Sequence, residues 1–78
     1  MRVLLFASYA DAFGASEIDV DLPAGSTVAQ VVQWVRTRHG DSRLPPSPLV
    51  AVNQAYARPD ATILDGDEVA IIPPVAGG

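Results

Sequence analysis

The chain has 78 residues, 49% of them hydrophobic, and a formal net charge of −4. That is the size of one domain with enough apolar residues for a core, and no second domain is expected. The absence of cysteine excludes disulfides, thiolate nucleophiles and zinc–thiolate sites, and five scattered arginines without a single lysine give none of the basic stripe that nucleic acid requires.

Residues 2–9 predict a first strand, apolar on both parities: Val3, Leu5 and Ala7 on one, Leu4 and Phe6 on the other. A strand covered on both faces, or one facing a partner, has this pattern. Arg2 and the apolar residues after it superficially resemble a secretion signal, but the run stops at Ser8-Tyr9, short of the roughly 7 to 15 residues such a core needs. No stretch reaches the length of a membrane-crossing helix, and a cytoplasmic location is expected. Residues 10–15 read as a loop or a short helical turn. Residues 17–22 then alternate, with Ile18, Val20 and Leu22 inward and Glu17, Asp19 and Asp21 outward. That predicts a half-buried antiparallel strand, forming a hairpin with the first.

Pro23-Ala24-Gly25 breaks the chain. Thr27 and Gln30 have capping-box spacing, and Val28, Val31, Val32 and Val35 share one helical face, so a helix is expected from here to His39, with Gly40 as its left-handed cap. Valine has modest helix propensity, so packing must hold this helix in place. Arg36, Arg38 and His39 would lie favourably near its C-terminal dipole. Residues 41–48, with Pro45, Pro46 and Pro48, predict a loop. Residues 49–53 predict a strand, Asn53-Gln54 a turn, Tyr56 and Ala57 a brief edge strand, Asp65-Gly66-Asp67 another turn, and residues 68–72 a last strand stopped by Pro73. One amphipathic helix needs one apolar sheet face. The expected fold is therefore α+β: a β-grasp, ubiquitin-like mixed sheet of four to five strands on one main helix, with residues 1–74 as the domain and 75–78 as a flexible C-terminal tail.

The sequence closes on Pro73, Pro74, Val75, Ala76, Gly77 and Gly78. Prolines end a strand, and two residues without a β-carbon can enter a cleft that any side chain would block. The five residues from Pro74 extend up to about 17 Å. With lysine absent, the α-amino group of Met1 is the only primary amine. That excludes a modifier that builds chains on its own lysines, and it would spare an activated terminus from acylating its own chain.

Five segments carry a resemblance: residues 3–7, residues 22–28, Val52-Asn53-Gln54, residues 65–70 and residues 73–78. Together they resemble the MoaD family of ubiquitin-like sulfur carriers, the small subunits of molybdopterin synthase, over essentially the whole chain. The most specific pieces are the Asp-Gly-Asp-Glu-Val turn and strand and the Pro-Pro-Val-x-Gly-Gly ending. The resemblance implies that an E1-like adenylating enzyme uses ATP to activate the Gly78 carboxylate, with Gly77 keeping the tail slim. A sulfur donor acting through that system then converts Gly78 to a thiocarboxylate. It further implies that the large subunit of molybdopterin synthase accepts the tail, in an assembly of two small and two large subunits, and passes the sulfur to cyclic pyranopterin monophosphate. The chain itself would bind no cofactor or metal, and would be no enzyme alone, since the catalytic groups would come from its partners.

If Val3 and Leu5 face the helix, Leu4 and Phe6 face outward, where Ile72 can join them and Tyr56 can border them. Phe6, Tyr56, Ile72, Pro73, Pro74, Val75 and Ala76 are thus the expected partner-binding residues, because contiguous exposed apolar surface marks interaction sites. The alternative is that the chain covers Phe6, Tyr56 and Ile72 itself. Asp65, Asp67 and Glu68 can be drawn as calcium ligands, but turn chemistry already accounts for them. Glu17, Asp19 and Asp21 read as a solvated or partner-facing stripe, His39 as a helix-end cation and Trp34 as core-edge packing. Three rivals remain: a thiamine-pathway sulfur carrier, against which Pro-Pro-Val weighs, a ubiquitin-like tag for target lysines, and a passive binding module.

Overall fold

The structure, a computed structural model, describes residues 1–39 and 48–73. The expected Gly40 cap, the His39 side chain, the loop residues 41–47 and the expected site residues Pro74, Val75, Ala76, Gly77 and Gly78 lie outside the described residues. Seven elements follow in order: β1 (Arg2–Leu5), α1 (Ala7–Phe13), β2 (Glu17–Asp19), α2 (Val28–His39), β3 (Leu49–Val52), β4 (Ala55–Tyr56) and β5 (Val69–Ile72). The strands form one mixed sheet in the order β2-β1-β5-β3-β4, parallel between β1 and β5 and antiparallel elsewhere.

The N-terminal third departs from the expected hairpin. Strand β1 stops at Leu5, and Phe6 is the last residue tied to the sheet, its N–H donating to the Ile71 carbonyl at 3.2 Å. Ala7 then takes a left-handed φ of 50° and turns the chain into α1, which absorbs Ser8 and Tyr9. Packing explains why: Tyr9, Ala10, Ala12 and Phe13 have helical spacing, Tyr9 is fully buried, and the other three pack against the core. The Gly14 and Ala15 N–H groups donate to the Asp11 and Ala10 carbonyls, closing α1 with a left-handed Gly14. β1 and β2 do pair antiparallel, but across a helix instead of a tight turn. β2 is also shorter than expected, because the Leu22 N–H turns back to the Val20 carbonyl at 2.9 Å.

The remaining elements follow the sequence closely. The Thr27 N–H donates to Gln30 Oε1 at 2.8 Å and the Gln30 N–H donates to Thr27 Oγ1 at 3.3 Å, the reciprocal capping box. Two further free donors of the first turn, the N–H groups of Val28 and Ala29, reach the carbonyls of Ala61 and Pro59. Val28, Val31 and Val35 are buried against Val3, Leu5, Val50, Val69 and Ile71 of the sheet. Trp34 is half-buried at the edge of this core, with the Arg38 guanidinium 4.8 Å from its ring centre. Asn53 and Gln54 both have positive φ, 53° and 69°, as a two-residue hairpin turn requires, and β4 begins at Ala55, one residue earlier than expected.

Candidate functional site on the outer sheet face

Register sorts the apolar strand residues by face. Val3 pairs with Val69 and Val50 with Ile71, and these face α2; the alternate residues, Leu4 with Ala70, Ala70 with Ala51, Ala51 with Tyr56 and Leu49 with Ile72, face away from it. No helix covers that side among the described residues. Leu4, Phe6, Ala51, Gln54, Tyr56, Glu68, Ala70 and Ile72 line a hollow of about 300 Å³ on it. The paired alanines make its floor, because a methyl leaves the space that the larger side chains around it enclose.

Phe6 is 47% exposed and Tyr56 72% exposed, so the described residues leave these two uncovered; Ile72 is half-buried. All three border the same hollow, and Pro73 follows directly from Ile72 at the end of β5. The sequence reading missed Ala51 and Ala70, which lie in short apolar runs with no alternation to reveal a face, and Leu49, which is 37% exposed opposite Ile72. The register of β3 against β5 would have placed them.

A polar clip holds the rim. Asp67 accepts from the Leu64 N–H at 2.8 Å and from Asn53 Nδ2 at 2.9 Å, while the Glu68 N–H donates to Asn53 Oδ1 at 3.0 Å. The hydrogen bond from Asn53, with that from Leu64, holds the Asp67 carboxyl below its ordinary value. The turn reading of Asp65, Asp67 and Glu68 therefore stands, with Asp67 as the working member. On the β1–β2 half of the same face the side chains are charged: Arg2 Nε lies 3.5 Å from Glu17, and Asp19 receives the Met1 amine at 3.3 Å. The expected acidic stripe is thus partly neutralised. No cluster of three or more His, Asp or Glu able to hold a metal occurs among the described residues. None of their helices is long and apolar enough to cross a membrane.

The ThiS family profile matches residues 3–78. The chain belongs to the ThiS family. Within it, the chain is similar to the molybdopterin synthase sulfur carrier subunit of Dictyostelium discoideum, 39% identical over 99% of this chain and 94% of that protein. The subunit of the same name from Escherichia coli is 36% identical over 100% of this chain and 99% of that protein. Among solved structures, small archaeal modifier protein 1 of Haloferax volcanii superposes with a TM-score of 0.79 at 27% identity, covering 96% of this chain and 97% of that one. The expected β-grasp architecture and the resemblance to the sulfur carriers both hold.

Proposed function

We propose that this ThiS family member is the sulfur carrier subunit of a molybdopterin synthase, with residues 1–74 as its docking domain and residues 75–78 as the tail that carries sulfur. The observation that carries this reading is the exposed apolar hollow of Phe6, Tyr56 and Ile72 at the end of β5, the strand from which the tail departs. A protein that docks there is held beside the residues that follow Pro73. The names of the full-length relatives support the molybdenum pathway over the thiamine one.

The chemistry needs little from this chain beyond a slim, reachable carboxylate. A carboxylate is a poor electrophile until one oxygen becomes a good leaving group. In an E1-like adenylating enzyme, a Gly78 oxygen attacks the α-phosphorus of ATP and pyrophosphate leaves. The terminal sulfur of a persulfide donor attacks the acyl adenylate and AMP leaves, after which a thiol cleaves the acyl disulfide to free the thiocarboxylate. The large subunit then receives the tail, in an assembly of two small and two large subunits, and the sulfur passes to cyclic pyranopterin monophosphate. Gly77 and Gly78 serve both active sites, while Pro74, Val75 and Ala76 line the path into them. This chemistry belongs to the cytoplasm, and the cofactor it consumes, ATP, is bound by the activating enzyme and not by this chain.

Intact mass after incubation with ATP, an activating enzyme and a sulfur donor tests the reading. The expected gain is one sulfur minus one oxygen, lost when Gly78 is deleted. The likeness to an archaeal modifier protein favours a second reading, a tag joined to target lysines. Isopeptide adducts on other proteins, without sulfur transfer to a pterin, would select it.

A further inference from the structure

An activated acyl end is a hazard to the chain that carries it, because any amine within reach captures it irreversibly as an amide. The chain contains no lysine, so its one primary amine is that of Met1. That amine donates to the Val20 carbonyl at 2.9 Å and pairs with the Asp19 carboxylate at 3.3 Å, while the Met1 carbonyl accepts the Val20 N–H at 2.7 Å. Met1 is thereby fixed as an extension of the β1–β2 ladder, with its nitrogen engaged by both partners.

Topology adds distance. β1 and β5 run parallel with Val3 beside Val69 and Leu5 beside Ile71, so Met1 lies level with Asp67, and Pro73 lies beyond the opposite end of the pair. From the level of Asp67 to that of Pro73 is six residues of extended chain, about 20 Å. The five residues after Pro73 span at most about 17 Å, and they would have to reverse direction to use that length.

We propose that this chain is a one-way acyl donor: it delivers its activated Gly78 to partners and is not cyclised by it. The parallel β1–β5 pair holds the sole amine out of reach of the tail, and the lysine-free surface offers no other. This rests on the reading of Gly78 as an acyl end, and the test is independent of any pathway because it needs neither ATP nor an activating enzyme. A thioester is placed on Gly78 by intein cleavage, and its fate at mildly alkaline pH is followed by intact mass. In the side reaction the amine nitrogen attacks the thioester carbonyl, a C–N bond forms, the C–S bond breaks and the thiol leaves with the amine's proton. The cyclic product is lighter than the hydrolysed acid by one water.

The chain itself is expected to give the acid alone, and Asp19→Ala likewise, since freeing the amine does not shorten the distance. Leu49→Lys, beside Ile72 at the tail exit, is expected to divert the thioester into the amide. A tethered amine has an effective concentration in the millimolar range, so at about 10 µM protein the amide should form about 100-fold faster than between molecules. Ser8→Lys, exposed two residues beyond Phe6, serves the same purpose should Leu49→Lys not fold. Cyclic product from the unaltered chain or from Asp19→Ala would overturn the claim of distance. Absence of amide from both folded lysine variants would overturn the claim that lysine is missing for protection.

Discussion

On the inner face of the sheet, Val3, Leu5, Val50, Val69 and Ile71 are at most 4% exposed; on the outer face, Phe6 just past the end of β1 and Tyr56 on β4 stay 47% and 72% exposed. The residue types are alike, and alternation alone separates them. Burying an apolar side chain stabilises the fold by about 1.5 to 3 kcal/mol, a gain the inner residues have already taken and the outer ones still hold in reserve for a partner. The difference teaches that side-chain type does not distinguish core from interface in a strand apolar on both parities; what lies across the face does.

The comparison breaks most visibly at Ile71. Ile71→Ala leaves a cavity between β5 and α2 and should cost about 2 to 5 kcal/mol. In a domain of this size that lowers the melting temperature by roughly 10 to 30 °C, read by calorimetry or circular dichroism. A loss within a degree or two would show that the inner face is not the core. Phe6→Asp, on the outer face, should leave the melting temperature nearly unchanged while weakening binding to a large subunit by about 100-fold, the effect of losing an apolar anchor. Titration calorimetry against that subunit checks it, and unchanged affinity would remove Phe6 from the docking surface.

A smaller effect is expected where α2 starts. Thr27→Ala removes the hydroxyl that accepts from the Gln30 N–H and should cost about 1 kcal/mol by denaturant titration. Neither sheet face is altered, so affinity for a partner should stay put.

The elements most legible in the sequence were those whose local signals agree with their packing. The capping box at Thr27 and Gln30, the valine stripe of α2 and the Asn53-Gln54 turn each combine a backbone requirement with a residue suited to it. Phe6 could be placed outward by its parity with Val3 and Leu5, and Ile72 and Tyr56 were set beside it as neighbours on that face. The stretch around Tyr9 was not legible, because the apolar run of residues 3–7 reads on into Tyr9 as a strand, and only the left-handed turn at Ala7 and the burial of Tyr9 in the core divide it into β1 and α1. Ala51 and Ala70 were missed for a related reason: the value of a small residue lies in the hollow its neighbours leave, which is a property of register between strands distant in sequence.

The rim between the two faces gives the smallest and most specific test. Asp67 joins the turn before β5 to the turn after β3, accepting from Asn53 and from the Leu64 backbone, and those bonds favour its ionised form. Its pKa in the folded chain is thus below the ordinary 3.8 that it would have unfolded. The sign follows: between the two values the unfolded state binds the extra proton, so the stabilisation is present above pH 3.8 and is lost as pH falls through the folded value. Asp67→Asn keeps the outline and removes the titration, but it turns one acceptor oxygen into an NH2 donor, so one of the two accepted bonds is lost. Thermal melts of the two proteins between about pH 2 and pH 7 should differ most near neutrality and converge in acid. A gap that stayed constant across that range would mean that the lost hydrogen bond accounts for the whole difference and that the charge of Asp67 does nothing for the fold.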